Sequence, residues 1–190
     1  PNGSVCANAS DIQLAGSVTG ATGAIWSGGT GTYNPNNTTL NAIYTPTAAE
    51  RTAGTVTLTL TSAGNGLCNA VSDQVTWTIT PAPTANAGID RILCGNNATT
   101  VLNGSFTVAT GGVWSGGSGS FDPSTTNMNA TYSPSAAEVS SGSATLTLTT
   151  TGNGTCTAVS DQVLLTFTTA PTANAGANST LFANNATVAL

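Results

Sequence analysis

Short stretches of alternating apolar and polar residues run along the chain and predict β-strands. The clearest is 55–61, where Val56, Leu58 and Leu60 face one side and threonine faces the other. This period of two is typical of a strand with one buried face, and β-branched threonine favours strands. Similar patterns, separated by turns rich in Gly, Asn and Pro, occur at 11–18, 24–26, 40–44 and 73–80. Together they predict an all-β sandwich.

One stretch has the signature of a helix. In 47–50, Thr47 stands at an N-cap position and Glu50 at the reciprocal position of a capping box. We therefore expect a single helical turn there.

The whole pattern is repeated 88 residues later without insertion or deletion. Cys6 recurs as Cys94 and Cys68 as Cys156, and about half of the aligned positions are identical. A third copy begins at Pro171. Repeats of this size indicate one small module stacked in a row. The predicted division is module one at 1–82, module two at 83–170, and the first strand of a third repeat, or an inter-subunit donor strand, at 171–190.

Charge narrows the possible functions. The chain has two Lys or Arg residues, no His and a net charge of −5. This composition argues against binding to nucleic-acid phosphates or to anionic lipid surfaces, and no apolar run reaches transmembrane length. The absence of His and Lys removes a Ser-His-Asp triad and a Lys Schiff base. Paired carboxylates are the remaining catalytic alternative, with Asp73 or Asp161 partnered by Glu50 or Glu138. We therefore predict no nucleic-acid partner, no membrane insertion and no enzymatic activity.

Four cysteines occupy equivalent places in the two repeats. Four allow three connectivities, and the repeat favours Cys6–Cys68 and Cys94–Cys156, one bridge inside each module. Each would contribute roughly 4 kcal/mol in the chain-entropy model. Paired cysteines imply an oxidising compartment; four free buried thiols are the alternative.

Other residues suggest binding chemistry. We expect no cofactor; calcium is the alternative, with Asp73, Asp122 and Asp161 as candidate ligands in oxygen-rich loops. Asp73 and Asp161 could instead accept hydrogen bonds from turn amides.

The aromatic residues point to the core. We expect Trp26, Trp114, Tyr44 and Tyr132 to be buried in the sandwich. The alternative for the tryptophans is a sugar-stacking platform.

The joints between modules are short and contain proline, which favours a stiff, extended linker. Residues 178–190 have a strand-like pattern, and we predict that they add as a β-strand to an adjacent module or subunit. The residues expected to carry that contact are Leu181, Phe182, Val188 and Leu190.

Four motifs recur as a set: PTANAG at 83–88, Trp-Ser-Gly-Gly at 26–29 and 114–117, Tyr-x-Pro-x-Ala-Ala-Glu at 44–50 and 132–138, and Ala-Val-Ser-Asp-Gln-Val at 70–75 and 158–163. The set resembles the immunoglobulin-like tandem repeats of giant secreted surface adhesins of Bacteroidota, of the gliding-motility type. The third copy departs from the pattern at Phe182, where cysteine would stand.

The resemblance implies an extracellular or bacterial cell-surface location and a structural role as an adhesin stalk or surface filament. The expected partners are like modules, in the same chain or in neighbouring subunits. The alternative is a module that binds glycans or surfaces through the Gly-rich loops 28–31 and 116–119.

Overall fold

The computed structural model describes residues 2–178 and residue 180, and consists of two β-sandwich modules in tandem. The predicted all-β fold of tandem immunoglobulin-like sandwiches is confirmed. The first module contains β1 (Gly3–Cys6), β2 (Ile12–Gln13), β3 (Gly23–Ser27), β4 (Thr32–Asn34), β5 (Ile43–Thr45), α1 (Ala48–Ala53), β6 (Thr55–Ala63) and β7 (Ser72–Thr80). The second contains β8 (Thr84–Asn86), β9 (Arg91–Cys94), β10 (Thr100–Val101), β11 (Ser105–Thr107), β12 (Gly111–Gly116), β13 (Ser120–Asp122), β14 (Thr131–Ser133), α2 (Ala136–Ser141), β15 (Ser143–Thr151) and β16 (Ser160–Thr168).

Each module packs a four-stranded sheet against a three-stranded sheet. The orders are β1-β7-β6-β3 and β2-β5-β4 in the first module, and β9-β16-β15-β12 and β10-β14-β13 in the second. β1 runs parallel to β7 with Cys6 opposite Thr80, and β9 runs parallel to β16 with Cys94 opposite Thr168. The first cysteine of each module therefore lies beside the carboxyl end of the module's last long strand.

The helix in each module begins with the predicted capping box. In α1 the Thr47 side chain accepts from the Glu50 amide, and the Glu50 carboxylate accepts from the Thr47 amide. Each helix ends at a left-handed glycine, Gly54 or Gly142. These caps satisfy backbone groups that so short a helix leaves unpaired.

The aromatic residues expected in the core are buried. Tyr44 and Tyr132 are fully inaccessible, and Trp26 and Trp114 are 5% and 1% exposed. Each tryptophan packs in its module's apolar cluster with leucine and valine side chains from the long strands.

The predicted disulfide pairing within each module is wrong: Cys6 is bonded to Cys156, and Cys68 and Cys94 are free. Cys68 lies in the loop before β7, whereas Cys6 lies beside the end of β7. β7 has nine residues, so at about 3.3 Å per residue the two cysteines are separated by about 26 Å. A disulfide needs Cα atoms roughly 4.4–6.8 Å apart, so only cysteines of successive modules can meet.

Residues Leu181, Phe182, Val188 and Leu190, predicted to form an assembly strand, lie outside the described residues.

Candidate functional site

The two modules are joined covalently where the end of the first meets a loop of the second. Cys6 is the last residue of β1, and Cys156 lies in the loop between β15 and β16; their Cα atoms are 4.9 Å apart. Their sulfur atoms lie 3.8 and 3.7 Å from the carbonyl oxygen of Pro81, in the linker between the modules. The bridge therefore sits directly against the linker.

A pair of hydrogen bonds accompanies the bridge. The Asn8 side-chain amide donates to the Thr157 carbonyl oxygen at 2.9 Å, and the Thr157 amide donates to Asn8 Oδ1 at 3.1 Å. The Asn8 side chain thus bonds both the main-chain amide and the main-chain carbonyl oxygen of Thr157, in the way that a residue of a neighbouring β-strand does. Because the Thr157 partners are main-chain atoms, this contact depends on Asn8 and not on the identity of residue 157.

The chain leaving the first module contributes a strand to the second. β8 pairs antiparallel with β11 and packs against β15 and β16. Just after β8, Ala87 is 2% exposed and belongs to the core cluster that contains Trp114 and Leu148. The Ala87 amide donates to Asp161 Oδ2 at 2.8 Å. The β8 segment is therefore an integral part of the second sandwich.

At the equivalent place, the first module has an open groove of about 480 Å³. In the repeat register, residues equivalent to β8 would precede Pro1. The lining of this first-module groove includes Leu14, Trp26, Leu60, Asp73, Val75 and Trp77. Their counterparts in the second module include Asp161, which holds Ala87, and residues of the core cluster to which Ala87 belongs. The groove therefore has the lining of a site for a β8-like strand.

The open groove changes the burial of matched side chains. Three groove residues that are half-buried in the first module have counterparts that are at most 1% exposed in the second. The half-buried residues are Leu60, Val75 and Trp77, and their counterparts are Leu148, Val163 and Leu165. Val75 and Trp77 are therefore half-buried in the first module, whereas their counterparts in the second module are covered by β8.

A second polar cluster lies under the Gly-rich loop of each module. In the second module Glu138 Oε1 accepts from the Ser118 amide at 2.8 Å and from the Tyr132 hydroxyl at 2.7 Å. Glu138 Oε2 accepts from the Ser135 amide at 2.8 Å, and the Gly119 amide donates to the Tyr132 hydroxyl at 3.0 Å. The first module repeats this arrangement with Glu50 and Tyr44.

The protonation of this cluster follows from its hydrogen bonds. Burial alone would raise the pKa of Glu138, but the bonds from the Ser135 amide, the Tyr132 hydroxyl and the Ser118 amide outweigh it, so the pKa lies below its usual value. Burial, followed by the bond to Glu138, raises the pKa of Tyr132 to about 12. At neutral pH Glu138 is therefore a carboxylate and Tyr132 a neutral phenol. Together they hold the Gly-rich loop in place through its amides.

The Gly-rich loops use their amides internally. In loop 28–31 the Thr30 amide donates to Glu50 Oε1 at 2.7 Å and the Gly31 amide to the Tyr44 hydroxyl at 2.8 Å. Gly29 has φ +67°, and a side chain there would collide with the Tyr44 hydroxyl. These glycines are required because the loop closes over the cluster.

Trp26 and Trp114, the two tryptophans considered for sugar stacking, offer no exposed face for a sugar. Trp26 donates its indole N–H to the Leu40 carbonyl oxygen at 3.2 Å. Trp114 is 1% exposed, and its indole nitrogen has no partner among the described residues.

The candidate calcium ligands lie in different places. Asp161 lies on β16 and binds the Ala87 amide, which is the hydrogen-bonding role considered as the alternative. Asp122 ends β13 in the other sheet of that module, and Asp73 lines the first-module groove. Within residues 2–178 and 180, no three His, Cys, Asp or Glu side chains group as a metal site. The expectation of no cofactor, with calcium as the alternative, stays a prediction.

Sequence reasoning missed Asn8 and Ala87, the two residues that complete the joint. A signal for each was present, since Asn8 recurs as Asn96 and Ala87 lies in a PTANAG segment that recurs at 171–176. In the described part of the chain, no helix is long and apolar enough to cross a membrane.

No protein-family model matches the chain, and no curated protein sequence matches it significantly. Among solved structures, it is similar to extracellular cadherin domains 3–6 of protocadherin gamma B2 (10% identity, TM-score 0.38, covering 88% of this chain and 46% of that one). It is also similar to human protocadherin-24 domains EC1-2 (10% identity, TM-score 0.40, covering 88% of this chain and 94% of that one). A third is the insect immune protein hemolin, described as having a domain arrangement with implications for homophilic adhesion (12% identity, TM-score 0.38, covering 77% of this chain and 40% of that one).

These neighbours are cadherin-type and immunoglobulin-like β-sandwich proteins of adhesion. The chain spans about half the length of the protocadherin gamma B2 structure. At such identities and TM-scores, the likeness says nothing about what this chain binds.

Proposed function

We propose that the chain is a structural repeat region of an extracellular stalk or surface filament, built from stacked sandwiches and placed on a bacterial surface as the sequence resemblance implies. The observation that carries the proposal is the covalent joint Cys6–Cys156, which ties one module to the next. A disulfide persists in an oxidising compartment, which favours an extracellular location.

The position of the bridge suits a chain under tension. When the chain is pulled from its two ends, force enters at the N-terminal strand, crosses from Cys6 to Cys156, and leaves through β16. The residues between the two cysteines are excluded from the extending path, and the bridge spans 150 residues of sequence. Most of both sandwiches is thereby protected from mechanical unfolding.

Single-molecule pulling from the two ends tests this directly. At about 3.5 Å per extended residue, the 150 residues behind the bridge correspond to about 500 Å of chain. We expect this length to be missing from the measured extension of the oxidised chain, and to appear in the extension of the double variant Cys6→Ser, Cys156→Ser. The matched control is Cys68→Ser with Cys94→Ser, which keeps the bridge and should behave as the parent.

Equal release of about 500 Å by the oxidised parent and the double variant would contradict the proposed role of the bridge in carrying tension. A glycan array probed with the folded chain provides the second arm. Specific sugar binding, lost when the Gly28–Gly31 loop is altered, would favour the alternative function of a glycan-binding module. We expect no specific binding.

A further inference from the structure

We propose that a cleft in the first module binds a small zwitterion of the amino-acid class, with the ligand's carboxylate on Arg51 and its ammonium group on Asp11. This Arg51 cleft has a volume of about 460 Å³, and its lining includes Ser10, Asp11, Thr45 and Arg51. The inference goes beyond the proposed function, because it adds a ligand site to a module whose proposed role is structural.

Asp11 reaches the cleft from the paired ends of two strands. Ile12 of β2 lies opposite Tyr44 of β5 in an antiparallel register, so the next residues, Asp11 and Thr45, also face each other at this end of the sheet. The Thr45 hydroxyl donates to Asp11 Oδ1 at 2.7 Å. This bond holds the exposed carboxylate at the wall of the cleft and leaves its second oxygen free for a ligand.

Arg51 reaches the same cleft from the last turn of α1. Its Nη1 donates to the Pro46 carbonyl oxygen at 2.8 Å and to the Ser10 hydroxyl at 3.4 Å. The other N–H groups of the guanidinium, on Nε and Nη2, have no partner among the described residues. These two nitrogens form the edge of a guanidinium that binds a carboxylate through two parallel hydrogen bonds.

The two opposite charges lie close together without forming an ion pair. Arg51 is anchored at Pro46 and Ser10, whereas Asp11 follows Ser10 in the chain and is anchored at Thr45, the residue before Pro46. Because consecutive Cα atoms are 3.8 Å apart, the guanidinium and the carboxylate are separated by about 10 Å or less. A cation and an anion that share one cleft but bond only neutral partners fit a ligand that carries both charges.

Ser10 gives a second, independent indication of a ligand. The residue is 8% exposed, and its oxygen accepts from Arg51, but its hydroxyl hydrogen has no acceptor among the described residues. Buried polar groups in folded proteins nearly always have hydrogen-bond partners. A carboxylate on the free edge of Arg51 would lie beside this hydroxyl and supply the acceptor. A few convergent polar groups in a concave surface are typical of small-molecule sites.

The second module shows that the sandwich does not need these groups. The polar residues of the cleft are all replaced in the repeat register: Ser10 by Ala98, Asp11 by Thr99 and Arg51 by Val139. Both modules nevertheless have the same strands and the same helix at this place. The chain contains only two Lys or Arg residues, and one of them lies in this cleft. The three groups therefore belong to a property of the first module and are not a requirement of the fold.

A titration followed by NMR tests the site and measures the spacing of its charges. Glycine, β-alanine and γ-aminobutyrate carry an ammonium group and a carboxylate at increasing separation, whereas acetate and methylammonium each carry one charge. We expect one of the three zwitterions to shift the amide signals of Ser10 and Asp11 and the side-chain N–H signals of Arg51. Its Kd should be lower than that of either single ion by about tenfold or more, because each single ion lacks one charged hydrogen-bonding group.

Two variants place second-module residues in the cleft. Arg51→Val and Asp11→Thr introduce the side chains found at Val139 and Thr99, so the module should keep its fold and its NMR spectrum. Each variant should raise the Kd of the preferred zwitterion by about tenfold or more. The control is Asp122→Asn, which removes one exposed carboxylate outside the cleft and should leave the Kd unchanged.

Three results would overturn the proposal. The first is the absence of shifts at Ser10, Asp11 and Arg51 with all three zwitterions. The second is acetate binding as tightly as the best zwitterion, which would make the cleft a simple anion site. The third is a Kd that does not change in Arg51→Val. None of these results bears on the pulling experiment, which depends on Cys6 and Cys156, so this proposal and the proposed function can fail separately.

Discussion

Replacing Glu138 with glutamine should destabilise the second module through a single buried cluster. The carboxylate is 8% exposed and accepts from the Ser118 amide, the Tyr132 hydroxyl and the Ser135 amide. In Glu138→Gln one oxygen can still serve Ser118 and Tyr132, but the new NH2 group would face the Ser135 amide, donor against donor. A hydrogen bond to a charged group contributes roughly 1.5–3 kcal/mol, and an unsatisfied buried donor costs roughly 1–3 kcal/mol. We expect a total loss of about 3 kcal/mol.

The assay must separate the two modules. Urea unfolding followed by hydrogen-exchange mass spectrometry reports on peptides from each module, and the loss should appear in 83–170 and leave 2–82 unchanged. Ser140→Ala, at an exposed position of α2, is the control and should change stability by less than about 0.5 kcal/mol. A loss below about 1 kcal/mol in the second module, or an equal loss in both, would refute the account of Glu138, because the hydrogen bonds would then contribute little.

Acid provides an independent check on the same residue. The pKa of Glu138 is lower in the folded chain than in the unfolded chain. The stabilisation by the carboxylate is therefore present above the unfolded pKa of about 4.3 and is lost as the pH falls through the lower, folded value. The parent should lose stability in the second module over that acid range, and Glu138→Gln should lose less.

Three further outcomes are expected. The pKa of Tyr44 and of Tyr132 is about 12 in the folded chain against about 10 when unfolded, so melting temperatures should fall as the pH rises from about 10 to 12. Leu148→Ala should cost about 3–5 kcal/mol and its matched counterpart Leu60→Ala about 1–2 kcal/mol in urea unfolding, because Leu148 is fully buried and Leu60 faces the open groove; equal costs would contradict the groove. Cys6→Ser should leave both modules folded but broaden the distribution of module-to-module distances in small-angle X-ray scattering. An unchanged profile would mean that Asn8 and the prolines of the linker are sufficient to hold the two modules in place.

The strands and helix caps were predictable because their causes are local. Alternation with threonine predicted β6, observed as Thr55–Ala63, and Thr47 with Glu50 predicted the start of α1. The Tyr44–Glu50 cluster could be predicted only in part from the sequence. The sequence indicated a capping glutamate and a core tyrosine, but their meeting over the loop depends on how β5 and α1 pack.

The disulfide pairing was not predictable from the spacing of the cysteines, because two pairing patterns are consistent with the sequence repeat. A repeat allows each module to bond its own two cysteines, and equally allows each first cysteine to bond the second cysteine of the next module. The choice depends on which end of β7 each cysteine occupies. That is fixed by the parallel pairing of β1 with β7, a non-local contact between Val5 and Ile79.

The two modules also differ in the strands that cover their cores, and the difference is visible in the burial of matched side chains. A complete sandwich starts at PTANAG, as the second module does at Pro83, because β8 and Ala87 are part of its core. Among the described residues, the first module has strands that match β9, β10 and β12 to β16, but none that matches β11 and none that matches β8. In the first-module core, side chains are more exposed only on the face that β8 covers in the second module. Ile12 and Tyr44 are fully buried, whereas Leu60 is half-buried. The difference in burial is therefore confined to the face that β8 covers in the second module, and the rest of the first-module core is closed without that strand.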